Sequence, residues 1–182
     1  MKRLTGIIAA TVLLCGLVNA ADIMVELKSH YFIPSEEAFR DIYRGGIEMG
    51  AEVSVEIARR FAVWLGGSYF SRKGELTFTK EETELRIMAL GGGIKYIFPA
   101  GAGIDIYGAG GVSYYSYNEE NVLGEVSKGG LGVVLKAGGL VKIINGIFFD
   151  AYINYSYCKM KPADFKINIG GFGAGVGLGY RF

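Results

Sequence analysis

From Asp22 to the C-terminus the chain alternates apolar and polar residues with a period of two, which only strands with differently solvated faces produce. Ile47, Met49, Ala51, Val53, Val55 and Ile57 alternate with Glu48, Gly50, Glu52, Ser54, Glu56 and Ala58. One face is wholly apolar; the other carries three carboxylates. The split recurs in Leu131, Val133, Leu135, Ala137, Gly139, Val141 and Ile143 against Gly130, Gly132, Val134, Lys136, Gly138, Leu140 and Lys142. It returns in Phe149, Ala151, Ile153, Tyr155 and Tyr157 against Asp150, Tyr152, Asn154, Ser156 and Cys158.

Extending the pattern gives eight strands, at about 22–32, 47–58, 61–72, 84–98, 104–117, 129–143, 147–158 and 166–182. Their connections alternate in length. Arg59-Arg60, Pro99 to Gly103 and Ile144-Asn145-Gly146 are short, whereas 33–46, 73–83, 118–128 and 159–165 are longer. Asn145-Gly146 is a hairpin signal, because both residues accept the positive φ of a type I′ turn. Strands three to five are less clear: both faces are apolar or small around Trp64 and across Gly91, Gly92 and Gly93. A bulge between Ile87 and Ile94 is expected to change the phase there. The first long connection suits a short helix, with Ser35 as N-cap, Glu36 and Glu37 in the first turn and Gly45-Gly46 as the stop. Phe39, Ile42 and Tyr43 would share one face, packed on a barrel rim or offered to a partner.

A soluble β-sandwich also alternates, so strand length has to decide. Spanning a bilayer takes roughly 9 to 11 tilted residues, while strands of soluble proteins centre near about 5 or 6. Nearly every run here is of the longer kind. Tyr31, Phe61, Tyr69, Tyr96, Phe98, Tyr114, Tyr155, Tyr157, Tyr180 and Phe182 fall at or near strand ends, where aromatic girdles meet the membrane interface. The 29 glycines oppose long helices, and no stretch after Val18 is apolar for the length a membrane helix needs.

Residues 1–20 read as a cleaved signal peptide. Lys2 and Arg3 are basic, Leu4 to Val18 are apolar, and Val18-Asn19-Ala20 offers small residues for cleavage before Ala21. Residues 21–182 then form the barrel domain. A lipoprotein signal around Cys15 is the alternative, disfavoured by the bulk of Leu14. Removing the signal leaves 19 less 2, or 17, basic groups against 18 acidic ones, a balance of −1 that offers nucleic acid no footprint. Cys158 is then the sole thiol, which excludes an internal disulfide and a CxxC site.

The last strand carries a further signal. Phe172, Ala174, Val176, Leu178, Tyr180 and Phe182 alternate with Gly171, Gly173, Gly175, Gly177, Gly179 and Arg181. Val176, Leu178, Tyr180 and Phe182 resemble the C-terminal assembly signal of bacterial outer-membrane proteins, although Gly175 stands where that signal usually has a polar residue. In its signal peptide, strand count, alternating turns and loops and terminal aromatic, the chain resembles the OmpA/OmpX/Opa-like family of small outer-membrane β-barrels. The resemblance implies an all-β, eight-stranded antiparallel up-and-down transmembrane β-barrel in the bacterial outer membrane. It also implies contact with outer-membrane lipid and lipopolysaccharide, delivery to the barrel-assembly machinery through the last strand, and a monomer. The chain ends at Phe182, so no periplasmic peptidoglycan-binding domain of the OmpA kind is expected, and the loops are short beside those of Opa adhesins.

Catalytic chemistry is sparse. His30 is the only histidine, and its neighbour Ser29 points to the opposite face of a strand. Lipid A deacylases and acyltransferases are also eight-stranded barrels that use histidine with serine, which makes them the enzyme alternative. No GxGxxG or GxxxxGK[ST] occurs, and the glycines sit inside strands, where they make room for larger interior neighbours. Glu81-Glu82 and Glu119-Glu120 read as solvated loop carboxylates. No catalytic, metal or cofactor site is expected. The interior is expected to hold Glu26, Lys28 and Lys142 beside a charge network of Glu48, Glu52, Glu56, Lys95, Lys136, Asp150 and Arg181. Eight strands leave a lumen that side chains just fill, so mixed charges in it should pair and favour a plugged barrel. Glu52 and Lys136, on strands two and six, are placed to meet across it. A structural or surface-interaction role is the leading function, with a narrow channel for small solutes as the alternative.

Overall fold

The computed structural model describes residues 22–75, 82–121, 124–161 and 167–182. The expected signal peptide lies outside the described residues. The elements run β1 (Ile23–Pro34), α1 (Glu37–Tyr43), β2 (Gly46–Ala58), β3 (Phe61–Glu75), β4 (Glu82–Gly101), β5 (Ile104–Asn121), β6 (Gly124–Ile144), β7 (Ile147–Tyr157), β8 (Lys159–Met160), β9 (Ile167–Asn168) and β10 (Gly171–Arg181). Eight of the strands close in the ring order β1-β10-β7-β6-β5-β4-β3-β2, and β8 with β9 forms a separate ribbon. First and last strands seal the ring along Met24↔Arg181 to Pro34↔Gly171, so the barrel has no free edge at membrane height.

Alternation fixes the two faces. Leu27, Met49, Leu65, Leu90, Val112, Leu135 and Leu178 project from the outer wall, where a membrane must cover them. Phe61, Tyr96, Phe98, Tyr180 and Phe182 ring the end with the tight turns; Tyr31, Tyr69, Tyr114, Tyr155 and Tyr157 lie towards the other. The Asn145-Gly146 turn has both φ values positive, 45° and 83°, as a type I′ turn requires.

Four local expectations are corrected. The β3–β4 register runs unbroken from Phe61↔Tyr96 to Glu75↔Glu82, so no bulge falls between Ile87 and Ile94. The alternation fades there because the inward residues Ile87, Ala89, Gly91 and Gly93 are themselves apolar or small. Register shifts lie instead beside the tight turns, at Glu56/Ala58, Pro99/Gly101 and Lys142/Ile144. The segments expected as loops at 73–83 and 118–128 begin and end as paired strand, out to Glu75↔Glu82 and Asn121↔Gly124. In water both faces of such a ribbon can be polar, so its sequence reads as loop.

The last segment is not one strand from 166. The Asn168 side chain accepts hydrogen bonds from the amides of Cys158 and Gly170, at 3.0 and 3.1 Å, and this diverts the backbone before β10 starts at Gly171. Finally, α1 is capped at Glu36 with no side-chain cap bond. The Ser35 amide donates instead to the Gly170 carbonyl, 3.0 Å away.

Candidate functional site

The barrel interior is stacked in tiers. Nearest the tight turns, Met24, Ala62, Ile97, Leu140 and Phe148 make an apolar floor. At the open end, Phe39 and Tyr43 of α1 descend onto Phe32, Phe70, Leu85, Tyr117 and Ile169. This aromatic roof makes α1 a lid over the mouth. The Tyr43 hydroxyl donates to Glu119 Oε1 at 2.6 Å and lies 3.1 Å from Thr83 Oγ1, while Tyr117 also donates to Glu119. Burial, followed by the bond to Glu119, pushes the Tyr43 hydroxyl above its usual pKa. Glu119, read from sequence as a solvated loop carboxylate, is thus the anchor of the lid. No local pattern announces this, because its partners come from three separate elements.

Between roof and floor lies a layer of charge. Lys95 Nζ is 2.6 Å from Glu52 Oε1 and 3.0 Å from Glu26 Oε1. Lys28 Nζ lies 3.1 Å from Asp150, 3.2 Å from Glu26 and 3.5 Å from Glu52. Lys136 Nζ donates to Glu52 Oε2 at 2.6 Å, and β2 and β6 stand four places apart in the ring of eight, so this contact crosses the lumen. Tyr107 donates to Asp150 at 2.9 Å, and the Lys136 ammonium sits 3.6 Å from the centre of the Trp64 ring. Three carboxylates and three ammonium groups therefore balance in a space shielded from bulk water. Isolated charges there would be costly; the mutual pairing offsets their desolvation.

Of the seven residues expected in the network, Glu52, Lys95, Lys136 and Asp150 are brought together. Glu26 and Lys28, foreseen only as interior residues, complete the cluster. Glu48 stands apart, with Oε2 3.4 Å from His30 Nε2. Arg181 pairs with Asp105 at 3.4 Å, and Glu56 accepts only the Arg60 amide at 3.4 Å, near the inner turn. Trp64 and Tyr107 were missed as partners. The parity of their strands does turn both inward, and that signal would have found them.

Above the charge layer is a cavity of about 80 Å³, lined in part by His30, Trp64, Ser68, Ser113, Tyr115 and Asn154. Glycines clear it: a Cβ on Gly91 would sit 1.9 Å from Ser113 Oγ, and one on Gly173 2.0 Å from Asn154 Oδ1. His30 points inward, with Nδ1 3.1 Å from the Tyr152 hydroxyl, while Ser29 occupies the other face of β1. Among the described residues, no three of His, Cys, Asp and Glu are grouped to hold a metal.

The outer membrane protein beta-barrel domain family matches residues 18–182 of the chain. No curated protein matches in sequence. Among solved structures, the chain is similar to Neisserial surface protein A at 13% identity and a TM-score of 0.68, covering 90% of this chain and 100% of that one. It is similar to the outer membrane protein OprG from Pseudomonas aeruginosa at 14% identity and a TM-score of 0.68, over 90% and 96% of the two chains. It is also similar to Ail, the attachment invasion locus protein of Yersinia pestis solved with the heparin analogue sucrose octasulfate. There the identity is 14%, the TM-score 0.60 and the coverage 89% and 99%. At such identities the likeness is one of fold.

Proposed function

Since the chain belongs to the outer membrane protein beta-barrel domain family and sits in the bacterial outer membrane, we propose that it is a non-enzymatic surface-interaction barrel with a plugged lumen. The observation that carries this reading is an open strand edge outside the membrane. β5 and β6 pair out to Asn121↔Gly124, but β7 pairs with β6 only from Val133↔Tyr157 inward. Among the described residues, no strand pairs with the other side of β6 over 124–128; farther in, β8 packs beside it and Cys158 Sγ donates to the Leu131 carbonyl at 3.6 Å. Glu125, Ser127 and Lys128 are exposed along 124–128. An unpaired edge offers a row of backbone donors and acceptors to an extended partner chain, which would add as a further strand.

The plug rests on the paired charge layer closed above and below by apolar tiers. The absence of turnover is supported by the lone His30, which is buried and turned away from Ser29.

The test sets conductance against binding. Refolded protein in planar bilayers should show no steady conductance, and peptides selected against it from a random library should bind in extended form. Replacing residues 120–125 with Asn-Gly shortens the exposed edge yet keeps Glu119; it should weaken peptide binding and leave the folded band on unheated gels. Steady channel steps, or undiminished binding to the shortened ribbon, would overturn the proposal.

A further inference from the structure

The cavity above the charge layer contains buried polar atoms with nothing to bond. Trp64 Nε1 and Asn154 Oδ1 are each buried without a hydrogen-bond partner, His30 Nε2 has the Glu48 carboxylate 3.4 Å away, and all three residues line the cavity. Trp64 is 2% exposed and His30 7%. Leaving such groups unsatisfied is costly, so the space is built to be filled by something polar. His30 is already engaged at both ring nitrogens, with Nδ1 3.1 Å from the Tyr152 hydroxyl and Nε2 facing Glu48. Trp64 Nε1 is a donor by nature, and Asn154 Oδ1 is an acceptor. The cavity therefore presents one unpaired donor and one unpaired acceptor, with the hydroxyls of Ser68 and Ser113 able to act as either.

These demands select the occupant. A carboxylate would satisfy Trp64 Nε1, but it would leave Asn154 Oδ1 bare and place a negative charge beside Glu48 and Glu52. An ammonium ion would satisfy Asn154 and Glu48, but it would leave Trp64 Nε1 bare and place a second positive charge beside Lys28 and Lys136. A hydroxyl or a carboxamide both donates and accepts, carries no charge, and suits every unpaired atom.

We propose that this cavity is a binding site for a small uncharged solute of the polyol or amide type, with water as its resting occupant. About 80 Å³ holds a few waters or a solute of a few heavy atoms. The route in is the outer mouth, where the roof is made of α1 side chains.

The chain's single tryptophan stands in this cavity and reports on it directly. Mature protein refolded into phosphocholine vesicles would be titrated with glycerol, acetamide, sodium acetate and ammonium chloride at constant ionic strength, reading Trp64 emission. Glycerol or acetamide should give a saturable change that acetate and ammonium do not. Asn154→Leu should raise the half-saturating concentration about tenfold, the loss of one buried hydrogen bond. Ser68→Phe, which fills the space, should abolish the response, with folding of both variants checked by the gel shift on heating. A response that never saturates, or that persists in Ser68→Phe, would overturn the proposal. So would tighter binding of acetate or ammonium, or silence to all four probes, which would mean a cavity for water alone.

Discussion

Glu52→Gln is the substitution that probes the charge layer most directly. Glutamine keeps the shape of the side chain and removes only its charge, so no cavity confuses the result. In the native protein Glu52 faces Lys95 and Lys136, each at 2.6 Å, and Lys28 at 3.5 Å. At an effective dielectric near 20, each contact is worth roughly 5–6 kcal/mol before desolvation is subtracted. Without the carboxylate, three ammonium groups face only Glu26 and Asp150, and one positive charge is uncompensated inside the barrel. The expected loss is about 3–5 kcal/mol of stability, the usual consequence of breaking a buried pair. Lys136→Met alone should cost less, because its side chain is 14% exposed and its removal leaves Glu52 still paired with Lys95 and Lys28. The double variant restores neutrality, so it should recover about 1–3 kcal/mol relative to the sum of the single effects. Urea unfolding in lipid vesicles supplies the energies, and planar-bilayer recording shows whether either single change admits ions. Simple additivity, or a loss below about 1 kcal/mol for Glu52→Gln, would refute the reading of Glu52 as the hub of a coupled layer.

Three further outcomes are expected. The protein in detergent should migrate differently on gels before and after boiling, because a closed ring has no edge from which to unravel; identical bands would contradict the barrel's closure. Deleting Phe182 should block outer-membrane assembly while export continues, and normal membrane levels of the truncated chain on fractionation would refute its role in the assembly signal. The lid should loosen in alkali. Tyr43 has its pKa raised in the folded state, so its contribution is complete below the unfolded value of about 10 and is lost as pH rises through the folded one. Backbone exchange in α1 should therefore accelerate above about pH 10 in the native protein and lose that pH step in Tyr43→Phe.

The sequence by itself determined the wall. A period of two, sustained over runs long enough to cross a bilayer, permits only strands with one face in lipid, and eight such runs with short turns between alternate pairs leave little choice but a closed ring. It also determined which residues turn inward, since parity along a strand is as good as a coordinate; that is why Glu52 and Lys136 were legible as partners across the lumen. Parity says nothing about height or reach. Only the closed ring decided that Glu26 and Lys28 stand level with Glu52 while Glu56 and Arg181 lie nearer the inner turns, because stagger between strands is set by pairing register. The tertiary structure likewise decided that residues 73–75 with 82–83, and 118–121 with 124–128, continue as ribbon. Backbone pairing holds them, and in water neither face has to declare itself in apolar residues. The anchor at Glu119 was beyond any local reading, since Tyr43, Thr83 and Tyr117 converge on it only once α1 has folded over the mouth.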